Sequence, residues 1–420
     1  MKINPESPSA KYIVFALSWP LFVICVGFNV TSVAMLLPRW EKLMGWGSME
    51  YGLIVGAISM GFVCSVLAAG ILIDKFNYQT VALAAAFANA AAALLKGWFS
   101  DFPTAYAALF LTGVTASGVY SGSIKMINVW FDRRHTLKAN AILLSGSALG
   151  YILGFLFTIP LTDALGGWDG LFALQAVLTA LFAAVILVAV PLRTEAQGAM
   201  NADLGVEVKE YTVLRRIQDL GRSRQFLLVM ASEFFISGAI LTFSSMGPKF
   251  FPSYWEGLES TTLGVMMAAT NAGSCFGYFL LPPLADRFGY RKRFVVPAVI
   301  WVCAFFAISP LTHSPLYSGM LNFVGSFANG LAVSGGRTLM LEHKDVAGIK
   351  AGTASGMLLT SNRLGCVALP LIFMFMFDRL SHYAAWASTF AIGTLGVIPL
   401  LFVEDTGWKA RKKREGEGRR

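Results

Sequence analysis

Pro283-Leu284-Ala285-Asp286-Arg287-Phe288-Gly289-Tyr290-Arg291-Lys292-Arg293 is a short polar turn between two long apolar stretches. Its centre has a copy 212 residues earlier, where Asp74-Lys75-Phe76-Asn77-Tyr78 occupies an equivalent place. The same offset carries Gly52 to Gly264, Gly61 to Gly273, Gly113 to Gly325 and Gly118 to Gly330. It also carries Lys125 to Arg337, Lys138 to Lys350 and Ala139 to Ala351. Hydrophobic composition alone would not bring glycines, charges and turns into register, so the chain is a duplication. In a membrane protein of this size, two similar bundles with a substrate path between them are expected.

The rest of the chain agrees with a membrane setting. Of 420 residues, 56% are hydrophobic and 14% charged, outside ordinary soluble composition. The apolar residues form blocks near the roughly 20 residues that cross a bilayer as a helix. Twelve such spans are predicted: 12–37, 51–73, 80–99, 105–130, 138–161, 169–191, 226–250, 261–285, 294–311, 316–341, 351–377 and 385–403. The expected fold is therefore all-α and integral to the membrane, with twelve transmembrane helices in two pseudo-symmetric six-helix bundles. Residues 1–191 would form the first bundle and 226–403 the second. A polar linker, 192–225, would join them, and 404–420 would be a basic cytoplasmic tail.

Basic residues set the orientation. They crowd the turn at Lys75, the segment 133–138, the linker, the turn at 287–293 and the tail. The opposite loops hold only Arg39, Lys42, Lys249 and Arg379, with Lys96 near a helix end on that side. Both termini are thus expected in the cytoplasm, with the chain in a plasma or bacterial inner membrane. The net charge of +9 follows from topology and contact with anionic lipid, and nucleic acid is not an expected partner. Met1 to Ala10 lacks a signal-peptide pattern, so the first helix is expected to stay. The five cysteines lie inside spans without metal-ligand spacing and read as packing residues. Trp40, Trp46, Trp98, Trp168 and Trp255 read as interfacial anchors.

The 283–293 stretch resembles the signature loop of the major facilitator superfamily, in which a small residue and Asp-Arg precede Gly and a basic pair. The first-half copy has Asn77 in place of the glycine, a residue that tolerates positive φ. Trp130-Phe131-Asp132-Arg133-Arg134-His135-Thr136-Leu137-Lys138-Ala139 is similar to the connection between spans four and five in carboxylate-type members. Gly146, Gly150 and Gly154 then give a close-packing face. The resemblance implies a secondary transporter, not an enzyme and with no cofactor, nearest to organic-anion, monocarboxylate or oxalate carriers. It implies that Asp74, Asp286 and Arg287 hold helix ends together in one state and release them in the other. An Asp there can also cap the next helix. Tyr151 replaces the proline, and Leu111-Thr112-Gly113 lacks the arginine, that proton-coupled drug exporters carry.

A charge at the bilayer centre costs at least about 2.5–3.5 kcal/mol, which makes it a functional candidate. Four residues qualify: Lys125, Glu233, Arg337 and Arg363. Arg363 falls mid-span, and its planar five-donor group suits an oxyanion; the alternative is a structural pair with Glu233. Lys125 and Arg337, equivalent in the repeat, are candidates for gate or pathway. Glu233 is the candidate for proton coupling, or else a structural partner of a basic neighbour. Asn29 and Asn271 are predicted to line the substrate site beside Arg363. The expected function is transport of a small organic anion, coupled to a proton or to a counter-anion, by a monomer. The competing readings are an exporter of neutral or cationic amphiphiles and a non-transporting sensor of the same fold.

Overall fold

The computed structural model describes residue 7, residues 9–131, 133–191, 213–255, 257–312 and 314–341, residues 343 and 346, and residues 351–410 and 412. Most of the predicted linker and the end of the tail lie outside these. Among the described residues the elements are all helices. The first span runs Ala10–Met44 as α1 (Ala10–Phe22), a π-helical turn (Val23–Phe28) and α2 (Asn29–Met44). There follow α3 (Ser48–Lys75), α4 (Tyr78–Gly97), α5 (Phe102–Trp130), α6 (Arg133–Ala164) and α7 (Trp168–Ala189). A short α8 (Val213–Arg222) precedes α9 (Arg224–Tyr254), α10 (Ser260–Phe288), α11 (Lys292–Ile308), α12 (Pro315–Phe327) and α13 (Asn329–Leu341). The chain ends with α14 (Ala351–Arg379), α15 (His382–Leu395) and α16 (Val397–Phe402).

Among the described residues, eleven helical segments are long and apolar enough to cross a membrane. The remaining predicted span, 316–341, is the pair α12 and α13, broken at Ala328 just before Asn329-Gly330. The first span is longer than predicted. Pro38 sits inside α2 without ending it, because Leu36, Leu37 and Trp40 are fully buried on either side. Pro20 removes a ladder donor, and the π turn begins three residues later. Many large apolar side chains face outward, among them Leu187, Val188, Ile300 and Trp301, as a lipid-facing surface requires.

Contacts group the chain into two units: Met1–Leu36 with Ala57–Tyr211, and Leu37–Gly56 with Thr212–Arg420. The first unit packs on small residues. A side chain at Gly150 would strike the Val23 carbonyl and Gly27, so α6 and the first span meet backbone to backbone. The second unit makes the same approach between α9 and α14, where Gly365 lies on the Phe234 carbonyl and Gly238 on Gly365. It adds an aromatic core. Phe243 stacks on Phe306 with centroids 4.3 Å apart, and Phe373 meets Trp386 at 4.8 Å. Trp40, Trp46 and Trp255 are buried in the second unit, so these three are core residues and not interfacial anchors; Trp98 is 75% exposed. In the same unit Lys249, read from sequence as a loop residue, lies on α9 and reaches Glu41 at 2.5 Å.

Candidate functional site

Among the described residues, each unit holds a buried polar cluster. In the first, Lys96 on the last turn of α4 is fully buried. Side chains on a helix lean toward its N-terminus, which turns this lysine inward from the helix end. Its Nζ donates to Asn29 Oδ1 at 2.5 Å and to Gln175 Oε1 at 3.4 Å, and stands 4.4 Å from the centre of the Phe172 ring. Gln175 Nε2 donates to the same Asn29 oxygen at 2.5 Å. Asn29 Nδ2 donates to the Cys25 carbonyl and to Asn89 Oδ1, both at 3.1 Å. Asn89 passes the chain to Thr115 Oγ1 at 2.8 Å. The network joins the first span, α4, α5 and α7.

Asn29 is thus 1% exposed with both ends of its amide used inside the unit. Sequence reasoning missed Lys96, which it set near a helix end. The available signal was spacing: Asn89 and Lys96 are seven residues apart and share a helix face.

In the second unit the centre is Glu233 on α9, 3% exposed. Ser237, one turn on, donates to Glu233 Oε2 at 3.2 Å, and Asn362 Nδ2 on α14 donates to the same oxygen at 3.1 Å. Asn362 also bonds Ser237 Oγ. A Cβ at Gly336 on α13 would sit 3.3 Å from Glu233 Oε1, so the glycine leaves that oxygen room. Arg363 follows Asn362 directly and is half-buried near the middle of the 29-residue α14. Asn271 on α10 is half-buried and donates to the Met267 carbonyl of its own helix at 3.4 Å. Lys125 is half-buried just over one turn before the end of α5.

The repeated turns differ in detail. The backbones of Asp74 and Asp286 belong to the last turns of α3 and α10, and the residues at the cap positions of the following helices are Asn77 and Arg291. Their side chains, and that of Arg337, lie outside the described residues. The cap of α4 is Asn77, whose Oδ1 accepts the Gln79 N–H at 2.8 Å. Its φ is −65°, extended rather than the positive value anticipated for a glycine substitute. Gly289 does take the left-handed form, at +76°. The N–H of Arg291, the residue just before α11, is accepted by Asp405 Oδ1 at 3.0 Å. Asp405 also holds the Gly407 N–H at 3.0 Å, and the Lys409 N–H bonds the Gly289 carbonyl at 3.1 Å. Arg287 is exposed beside this strap.

The chain resembles known transporters along its length. A family model described as the Major Facilitator Superfamily matches residues 21–370. An uncharacterized MFS-type transporter of Mycobacterium tuberculosis is 24% identical over 418 residues, covering 94% of this chain and 88% of that protein. A protein of Cupriavidus necator named as a probable sulfoacetate transporter is 21% identical over 428 residues, covering 94% and 96%. The crystal structure of a bacterial homolog to the human lysosomal transporter Spinster, inward-facing and unoccupied, aligns with a TM-score of 0.70 at 12% identity. It covers 94% of this chain and 95% of that one, a likeness of fold.

Proposed function

The chain belongs to the Major Facilitator Superfamily, and from that premise we propose that it carries a small organic anion across the membrane by alternating access. It is a multi-pass membrane transporter and not an enzyme. The observation that carries the finer reading is Arg363, a permanent cation near the middle of a 29-residue span. A charge at that depth marks a functional site by default, and guanidinium matches a carboxylate or sulfonate with two parallel hydrogen bonds. The neighbouring carboxylate, Glu233, is engaged by Asn362 and Ser237, which ties α14 to α9 and fixes the backbone from which Arg363 projects.

The relative named for sulfoacetate supports the same ligand chemistry, since sulfoacetate bears a carboxylate and a sulfonate. In this reading Arg363 binds the anion, with Asn271 as a polar neighbour. Asn29 serves the first unit's network, a change from its sequence-based assignment. Lys125, Arg337, Asp74, Asp286 and Arg287 belong to the moving ends of the helices. Residues 192–225 link two bundles, both termini face the cytoplasm, and the transporter works as a monomer in the inner membrane, driven by a proton or a counter-anion.

A thermal-shift screen of purified protein against small carboxylates, sulfonates and inorganic oxyanions tests the proposal. Stabilisation by an anion, abolished in Arg363→Ala, is the expected result. Stabilisation only by neutral or cationic amphiphiles would refute it. Binding without counterflow in proteoliposomes would identify a sensor instead.

A further inference from the structure

Lys96 presents a physical problem that the anion reading does not use. Its amine is fully buried, and among the described residues none of its partners is a carboxylate. An ion taken out of water without a counter-charge loses several kcal/mol of solvation even after relaxation. Two amide oxygens and the face of a ring recover only part of that.

The bonding pattern suits two states of the amine equally. A neutral –NH2 has two N–H bonds, and Asn29 Oδ1 and Gln175 Oε1 supply two acceptors. An ammonium has a third, with the Phe172 ring at 4.4 Å to receive its charge. A proton can therefore arrive or leave without breaking either hydrogen bond. Among the described residues, few titratable groups stand on the surrounding elements; Asp101 is exposed at the cap before α5. The π turn brings Cys25, buried, and α7 brings Asp169 at its exposed first turn. Asp163 is exposed near the end of α6, and Lys125 is at the far end of α5. Asn29, the residue that feels the amine most directly, is the first of α2 and follows the π turn, a helix irregularity that is frequent at functional sites.

We propose that Lys96 is the proton-carrying residue of this transporter, charged in one part of the cycle and neutral in another. The inference rests on the transporter reading with proton drive. In the step itself the amine lone pair takes a proton from hydronium to form one new N–H bond. That bond later breaks to return the proton to water on the other side, and no electrons are exchanged. Charging the amine strengthens its pull on Asn29 Oδ1 and on the Phe172 ring, which links proton occupancy to the first span and α7. Glu233, the sequence-based candidate for this task, is in this account the fastener between α9 and α14.

The direct test needs no substrate. Proton release by purified full-length protein is measured by potentiometric titration for wild type, Lys96→Arg and Lys96→Met. Between about pH 6 and about pH 9, wild type should release roughly one proton per chain more than either variant. Equal release from wild type and Lys96→Arg overturns the proposal, and the arginine variant decides should Lys96→Met fail to fold. A second arm uses sulfoacetate as probe in proteoliposomes with an internal pH dye. The loss of pH-gradient-driven uptake in Lys96→Arg should exceed its loss of sulfoacetate exchange by at least about tenfold. Loss of both modes together overturns a coupling role. Should wild type not move sulfoacetate, the anion reading fails on that probe, and the titration still decides the proton site.

Discussion

The two halves of this transporter share their joints and differ at their centres. In the first unit, Gln79 Nε2 fastens the first turn of α4 to the Val190 carbonyl, at 2.9 Å, where α7 ends. In the second, Lys292 Nζ reaches the Leu401 carbonyl at 2.5 Å, in α16. Gly150 against the first span matches Gly365 against α9. Yet one centre is a lysine held by amides, and the other is a carboxylate held by an amide and a hydroxyl, with Arg363 next in the chain after that amide. Duplication has kept the contacts that let helices pack and turns hold. The polar groups have diverged, as expected if packing is common machinery and ligand or ion choice is not.

Breaking the shared joints should give the largest effects. Gly150→Val and Gly365→Val each force a branched side chain into a neighbouring backbone, where overpacking costs about 1–3 kcal/mol or more. Both should unfold well below wild type in a fluorescence-detected size-exclusion thermal assay. Normal behaviour of one alone would show that the halves do not share this joint. A smaller effect is expected where the halves diverge at their turns. Asp405→Ala removes the acceptor of the Arg291 and Gly407 N–H groups, part-buried bonds worth about 0.5–1.5 kcal/mol each. Gln79→Ala removes one bond in the equivalent region, so its melting temperature should fall less. The reverse order would mean that the strap is incidental.

The smallest effect is expected at the starts of α5 and α12. Asp101 caps α5 in a reciprocal box with Thr104, while Ser314 precedes α12 without a side-chain bond. Donation from the Thr104 hydroxyl, then from its N–H, holds the Asp101 carboxyl below its ordinary range. A lowered carboxyl stabilises fully above the ordinary value, and that contribution disappears as pH falls through the lowered one. The melting-point gap between wild type and Asp101→Ala should therefore be constant near neutral pH and close in acid. Ser314→Ala should change little at any pH, and a gap that widens in acid would contradict the capping account.

Much of the fold was legible because its determinants are periodic or repeated: apolar blocks, the 212-residue offset and the Gly146/Gly150/Gly154 face. The break at Ala328 was not, because apolar count does not register how a backbone bends between two short helices. The centres were half legible. Arg363 and Glu233 stand out as charges amid apolar residues. Lys96 did not, since nearness to a helix end suggests access to water, whereas the side chain turns inward. Asn29 drew attention as a polar residue of the first span, but sequence does not reveal that Lys96, Gln175 and Asn89 already occupy its amide. Asp405 was hidden in a tail read as separate from the turn it secures.

The central claim, that Arg363 recognises an anion that is then moved, is tested most directly by sulfoacetate counterflow in proteoliposomes. Wild type and Arg363→Lys should exchange labelled sulfoacetate, the lysine variant more weakly because it lacks the planar fork. Arg363→Ala, folded by the same thermal assay, should fall to the rate of empty liposomes. Exchange by Arg363→Ala at the wild-type rate would contradict the account.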